Sequence, residues 1–194
     1  LWVGQTFPRY SWWMMSLFLG NKYLDHLREH EDFMEALSPQ VRSLLLVRFP
    51  PNNYGWGEEV RLGDKFPGLR VYRGGGTMYR DLNNSRLSIH SYNSTTFLET
   101  LSANFPTLMY WNPNLFELRE SAYPYFDILR KAGILYDDPQ STARKVNEIF
   151  EDPLSWWETP SVQEAKDQFC HQYAYIHKNW LEEWKREILE VCGS

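Results

Sequence analysis

The chain has 194 residues, enough for one sizeable domain and short for two. Its 20 basic and 25 acidic residues leave a net charge of −5, which argues against a nucleic-acid surface. Cys170 and Cys192 match no zinc, CxxC or disulfide framework, which fits a reducing cytoplasm, and neither a transmembrane run nor a signal peptide is visible.

Leu1–Thr6 reads as a first strand, so the sequence opens inside a buried element and is expected to be the C-terminal piece of a longer protein. An aromatic loop, Phe7–Leu19, follows; its apolar run Trp13–Leu19 is far too short to span a bilayer. A helix is expected over Asn21–Leu37, where Tyr23, Leu27, His30, Met34 and Leu37 recur at three- and four-residue steps. Ser38-Pro39 offers an N-cap and a first-turn proline for a short turn. Ser43–Phe49 is a continuous apolar run with Arg48 near its end, as in a strand covered on both faces. Trp56–Lys65 suits a short helix, and Leu69–Arg73 a third strand ending at Gly74-Gly75-Gly76.

A weak helix near Met78–Asn83 precedes a fourth strand, Arg86–His90, and a helix, Ser94–Ala103. Pro106–Trp111 reads as a fifth strand and Leu115–Lys131 as a helix with Pro124 as its breaking point. Gly133 ends that helix, Ile134–Tyr136 is a brief sixth strand, and Asp138-Pro139 caps a helix running to about Phe150. A Pro/Trp-rich bend, Pro153–Pro160, leads to the last element. There Val162, Ala165, Phe169, Tyr173, Ile176, Trp180, Trp184, Ile188 and Val191 follow one helical stripe, with Ser161-x-x-Glu164 as a capping box. Roughly 30 residues at ~1.5 Å rise give a rod of about 45 Å, longer than a small domain is wide.

Alternating apolar strands and helices are the pattern of an α/β doubly wound parallel sheet, which binds ligands at the carboxyl ends of its strands. Gln5–Tyr10, Arg48–Asn53, the glycine run and His90–Thr96 all fall at such ends. The most informative is His90-Ser-Tyr-Asn-Ser-Thr-Thr-Phe-Leu-Glu99, a strand end, a small polar turn and a helix start rich in hydroxyls. Unpaired N–H groups and the partial positive charge of a helix start seat phosphate. Glu99, four residues beyond Thr95, can accept from sugar hydroxyls on the same face. The same letters, Thr96-x-x-Glu99, also spell a capping box that needs no ligand. Other residues read two ways. His90 can contact ligand or be satisfied by backbone at a strand end; Arg48 can meet phosphate or an internal carboxylate; Arg9 can bind phosphate or stack on the surface. Gly74-Gly75-Gly76 lacks the Gly-Lys-Ser/Thr of a phosphate-binding P-loop and reads as a flexible turn.

His90–Glu99 with Pro106-Thr107 resembles the donor-binding half of glycosyltransferases of the two-domain GT-B architecture, in particular bacterial transferases of surface-carbohydrate biosynthesis. In that pattern a Gly- or Ser-rich loop and a Ser/Thr precede a glutamate, and a hydrophobic-Pro pair opens the next strand. The resemblance covers the element order of nearly the whole chain. It implies a Rossmann-like nucleotide-sugar-binding domain over 1–160 and, over 161–194, a long helix packed toward an N-terminal domain. It further implies that Asn93, Ser94, Thr95 and Thr96 hold the donor diphosphate and that Glu99 accepts from ribose or sugar hydroxyls. Arg48 and Arg9 would neutralise phosphate, with His90 lining the donor site. The expected co-substrate is a nucleotide-sugar and the expected acceptor a glycan or lipid-linked sugar met through the N-terminal domain. No cofactor or metal is expected, in keeping with the lack of Asp-x-Asp. A cytoplasmic place, peripheral to the inner membrane face, follows from the same comparison. The family's Gly-Gly after the histidine is replaced here by Ser91-Tyr92.

Two other classes fit the residues. One is a sugar-nucleotide epimerase, which would need acid–base residues that these loops lack, or another transferase of like fold. A non-catalytic interaction module would use the aromatic surface and tolerate Glu99→Ala.

Overall fold

The computed structural model describes residues 1–9 and 20–193. Its centre is a six-stranded, all-parallel sheet: β1 (Trp2–Val3), β2 (Leu46–Phe49), β3 (Arg70–Arg73), β4 (Ser88–His90), β5 (Thr107–Tyr110) and β6 (Leu135–Tyr136), in the order β3-β2-β1-β4-β5-β6. The doubly wound expectation is therefore met, and the switch of strand order falls between β1 and β4. The direction in which successive strands are added reverses there, and right-handed crossovers then send the connecting helices to opposite faces.

One face carries α1 (Gly20–Ala36), α2 (Pro39–Leu44), α3 (Glu58–Lys65) and α7 (Pro139–Ile149). Phe33, Met34, Leu62 and Val146 of these helices, with Leu37 just after α1, pack there against Trp2, Val47, Phe49, Ile89, Leu108 and Tyr110 of the strands. The period of two along each strand sends Met109 and Trp111 to the other face. They meet Phe97 and Leu101 of α5 (Thr95–Ser102), Phe126 and Leu129 of α6 (Tyr123–Lys131), and Phe169 of α9 (Pro160–Tyr173). Val3 joins that side beside Met78, Tyr92 and Leu82, the last on α4 (Tyr79–Asn83).

Several boundaries differ from expectation for local reasons. Ser38 caps a real helix, α2, through Val41 N at 3.2 Å, so Ser43 and Leu44 are helical and β2 starts only at Leu46. Pro124 lies in the first turn of α6 and starts it, after a 3-10 turn at Glu120–Ala122, because the missing N–H is unneeded there. Asp138 caps α7 as expected, accepting from Ser141 N at 2.6 Å. The bend after Phe150 holds a short helix, α8 (Pro153–Trp157), capped by Asp152 and anchored by the buried Trp157 indole, which donates to Asn104. The expected aromatic loop Phe7–Leu19, with its run Trp13–Leu19, lies for the most part outside the described residues.

The largest correction concerns the final element. The one long helix expected from residue 161 onward is two, α9 and α10 (Trp180–Cys192). The Ser161-x-x-Glu164 capping box does not form; Thr159 stands at the N-cap and Pro160 opens the helix. Val162, Ala165 and Phe169 are buried, whereas Trp184 is 64% and Ile188 53% exposed. Helices in proteins are held mainly by packing of an apolar face. Past Tyr173 that support stops, and the aromatic and β-branched residues Tyr175-Ile176-His177 do little for a helix on their own. Among the described residues no helix is long and apolar enough to cross a membrane.

Candidate functional site

The turn from β4 into α5 stands at the switch point, where an open α/β sheet leaves a crevice. Ser94 occupies the N-cap in an extended conformation and makes no side-chain cap bond. The alternative capping box of Thr96 and Glu99 is likewise not formed. Thr96 Oγ1 instead meets the Tyr92 hydroxyl at 2.5 Å, and Glu99 is exposed one turn further along. No capping side chain thus occupies the first amides of α5. Around them stand the partly exposed Asn93, Ser94 and Thr96 and the exposed Thr95. Amides, hydroxyls and the helix dipole together suit an anion with oxygen atoms to share.

The other candidates take separate positions. Arg48, on β2, ion-pairs with Asp81 of α4, their side chains 12% and 10% exposed. It also donates through Nη2 to Gly76 O at 2.6 Å, so it fixes the glycine turn after β3. Tyr72 donates to the same Asp81 carboxylate. Burial works to raise the Asp81 pKa, but these hydrogen bonds and the Arg48 charge hold it below the usual carboxylate value. Arg9 is exposed, its guanidinium 5.3 Å from the Trp56 ring centroid. His90 is wholly buried beneath α5, with Nε2 2.8 Å from Ser88 Oγ and 3.3 Å from Thr100 Oγ1. Burial depresses its pKa to about 3, so the ring is neutral. The structure therefore gathers Asn93, Ser94, Thr95, Thr96 and Glu99 on one turn. Arg48 is placed beside a neighbouring loop, His90 below, and Arg9 out on Trp56.

The family model of the LIC12162 family transferases matches residues 1–188. The chain belongs to this family. No curated protein and no solved structure matches it. A LIC12162 family transferase is named for group transfer, so the crevice is to be read as part of an enzyme.

Two polar clusters of this LIC12162 family chain escaped the sequence reading. In the first, the buried Glu58 at the start of α3 accepts from Thr6 Oγ1, from the Tyr23 hydroxyl at 2.8 Å and from Arg73 Nη2 at 2.7 Å. Burial alone would raise its pKa; the hydrogen bonds from Thr6, Tyr23 and backbone, with the Arg73 charge, bring it below the ordinary value. Arg73 also pairs with Glu59 and donates to Pro50 O and Asn52 O, which ties the loop after β2 to the end of β3. The short helix expected over Trp56–Lys65 includes Glu58, but nothing in the letters joined it to Arg73.

In the second cluster, His26 and His30 face the sheet from α1, Nε2 to Nε2 at 3.0 Å. His30 Nε2 is 3.2 Å from Ser91 Oγ, and Asn112 after β5 donates to Glu29 Oε1 at 2.9 Å. Spacing of four residues on the buried face of α1 was the one available signal for the histidine pair. Among the described residues no group of three His, Cys, Asp or Glu is placed to hold a metal. A cavity of about 340 Å³ opens elsewhere, at the amino ends of the strands between Leu46, Leu87 and Phe150, and takes no part in the crevice.

Proposed function

We propose that this transferase is the donor-binding half of a nucleotide-sugar-dependent glycosyltransferase of the GT-B type, acting in bacterial surface-carbohydrate biosynthesis. The observation that carries this reading is the uncapped start of α5 at the switch point, ringed by Asn93, Ser94, Thr95 and Thr96 with Glu99 one turn on. In this reading the first-turn amides and hydroxyls receive the donor diphosphate, and Glu99 accepts from ribose or sugar hydroxyls. Arg9 adds charge at the rim. Arg48 acts through the glycine turn it holds, and His90 supports α5 from below.

The reaction is displacement at the anomeric carbon. The bond to the nucleotide diphosphate breaks as the acceptor oxygen attacks, and negative charge grows on the leaving phosphate. Fixed N–H dipoles aimed at that charge stabilise it without reorganising. The acceptor, a glycan or lipid-linked sugar, and the base that takes its proton would come from an N-terminal domain, which the exposed α10 rather than the core-packed α9 would meet. The reading needs no metal.

Ligand-observed NMR against UDP, GDP, CDP, CMP and ADP tests it, with Glu99→Ala as the control. A selective signal that weakens in the variant supports a donor site and names its nucleotide. Half a cleft leaves one ligand face in water, so the expected Kd is on the order of a millimolar. Silence across the panel, in this chain and in a longer one carrying the other domain, would replace the donor site with an interaction module.

A further inference from the structure

Where the resembled glycosyltransferases have Gly-Gly, this chain has Ser91-Tyr92, and each side chain has found a partner on a different face of the sheet. Ser91 follows Ile89 on the α1 face, is fully buried, and meets His30 Nε2 at 3.2 Å. Tyr92 lies on the opposite face among Val3, Met78 and Leu82, and its hydroxyl reaches Thr96 in the first turn of α5. The turn that opens α5 is thus gripped from below and from above.

The lower grip has firm footing. His30 is 1% exposed and lies edge-on to Trp2, ring centroids 4.7 Å apart. Burial and the neighbouring His26 keep its pKa well below the ordinary histidine value, so it serves as a neutral hydrogen-bonding group. Helix α1 is itself fastened at the carboxyl ends of two further strands. The Tyr23 hydroxyl shares its one proton between Glu58 at 2.8 Å and Gln5 O after β1 at 3.1 Å, and Glu29 accepts from Asn112 after β5. Its position is therefore set by the same strand ends that frame the crevice.

We propose that His30 is a positioning residue. Through Ser91 it fixes the β4–α5 turn so that the α5 amides stand ready for a phosphate, while Tyr92–Thr96 clamps the same turn from the other face. Two side-chain bonds here do the work of order that a Gly-Gly turn must obtain from its ligand, and a turn ordered beforehand loses less entropy on binding. The proposal rests on the donor-site reading above.

The test compares the wild-type chain with Ser91→Ala, His30→Leu and His30→Gln, the last of which keeps a polar nitrogen near Nε2. Amide hydrogen exchange is followed over residues 92–97, and NMR titration uses the nucleoside diphosphate that gives the strongest wild-type signal. Ser91→Ala and His30→Leu should both speed exchange over 92–97 and weaken diphosphate binding by about five-fold, the size of one neutral hydrogen bond. His30→Gln should restore most of both. If the wild type binds a diphosphate and Ser91→Ala binds it equally well, the positioning role is overturned while the donor site stands. If His30→Gln is as impaired as His30→Leu while Ser91→Ala is normal, His30 acts by packing and the proposal fails. If the wild type binds no diphosphate, the donor-site reading fails first and this one falls with it.

Discussion

Gly74 lies directly against the guanidinium of Arg48, and a Cβ built on it would sit 2.6 Å from Arg48 Nε. Van der Waals contact forbids that approach, so any side chain at residue 74 must displace the arginine. Arg48 cannot yield freely, because Asp81 and Gly76 O hold it in a mostly buried place. Gly74→Ala should therefore cost about 3 kcal/mol by separating a buried ion pair. Adding it to Arg48→Leu should cost far less, since the obstructing group is gone. A double-mutant cycle by urea denaturation reads this directly. Equal losses in the two backgrounds would mean that the glycine serves the turn alone.

Glu58 gives a pH-dependent counterpart. Its folded pKa is depressed, so its contribution is fully present above the ordinary carboxylate value and is lost as pH falls through the folded one. Glu58→Gln keeps the shape and removes the charge that Thr6, Tyr23 and Arg73 serve. It should lower stability by about 2–3 kcal/mol at pH 7. The gap should begin to close as the pH drops below about 4.5, where the unfolded wild type takes up its proton, and should vanish below the lower folded pKa, where the folded wild type loses the same charge. Urea midpoints for both proteins from pH 7 to pH 3 measure the convergence; a constant gap would show that the charge is not what counts.

His90 acts in a different window. It is buried and neutral, with a pKa near 3 against about 6.5 unfolded. Between those values the unfolded chain binds a proton that the folded chain refuses, so stability falls as the pH drops below about 6.5. The slope is about 1.4 kcal/mol per pH unit for this residue. His90→Gln should flatten the decline between pH 6.5 and 4.5 by about that amount, whatever it costs at neutral pH. Stability curves that stay parallel would refute the assignment.

What the letters disclosed, and what they hid, follows from the range of the forces involved. The strand Thr107–Tyr110 is legible because burial on both faces leaves a largely apolar run, whereas Leu46–Phe49 alternates half-buried and buried residues and admits Arg48. The polar turn at Asn93–Thr96 is legible because small hydroxyl residues cluster where a strand yields to a helix. The cap of α5 was not, since Thr96-x-x-Glu99 is equally spelled whether or not Thr96 turns to Tyr92. Ser91–His30, Arg73–Glu58 and Arg48–Asp81 span 61, 15 and 33 positions. Such pairings are products of the crossovers, and no local pattern announces them.

The aromatic stripe of the C-terminal region makes the same point and can be tested. In sequence Phe169 and Trp184 belong to one 3.6-residue pattern; in the structure they have different fates. Phe169 is wholly buried, against Phe97, Phe126 and Tyr173. Trp184, on α10, is 64% exposed. Phe169→Ala should cost about 3–5 kcal/mol, because it removes a large ring from a closed cluster that α5, α6 and α9 share. Trp184→Ala should change stability by no more than about 0.5 kcal/mol. Denaturation of the two variants side by side decides the matter. A loss at Trp184 rivalling that at Phe169 would mean that α10 is folded back on the domain in solution. The expected contrast would confirm that α9 completes the core and that α10 contributes nothing to its stability.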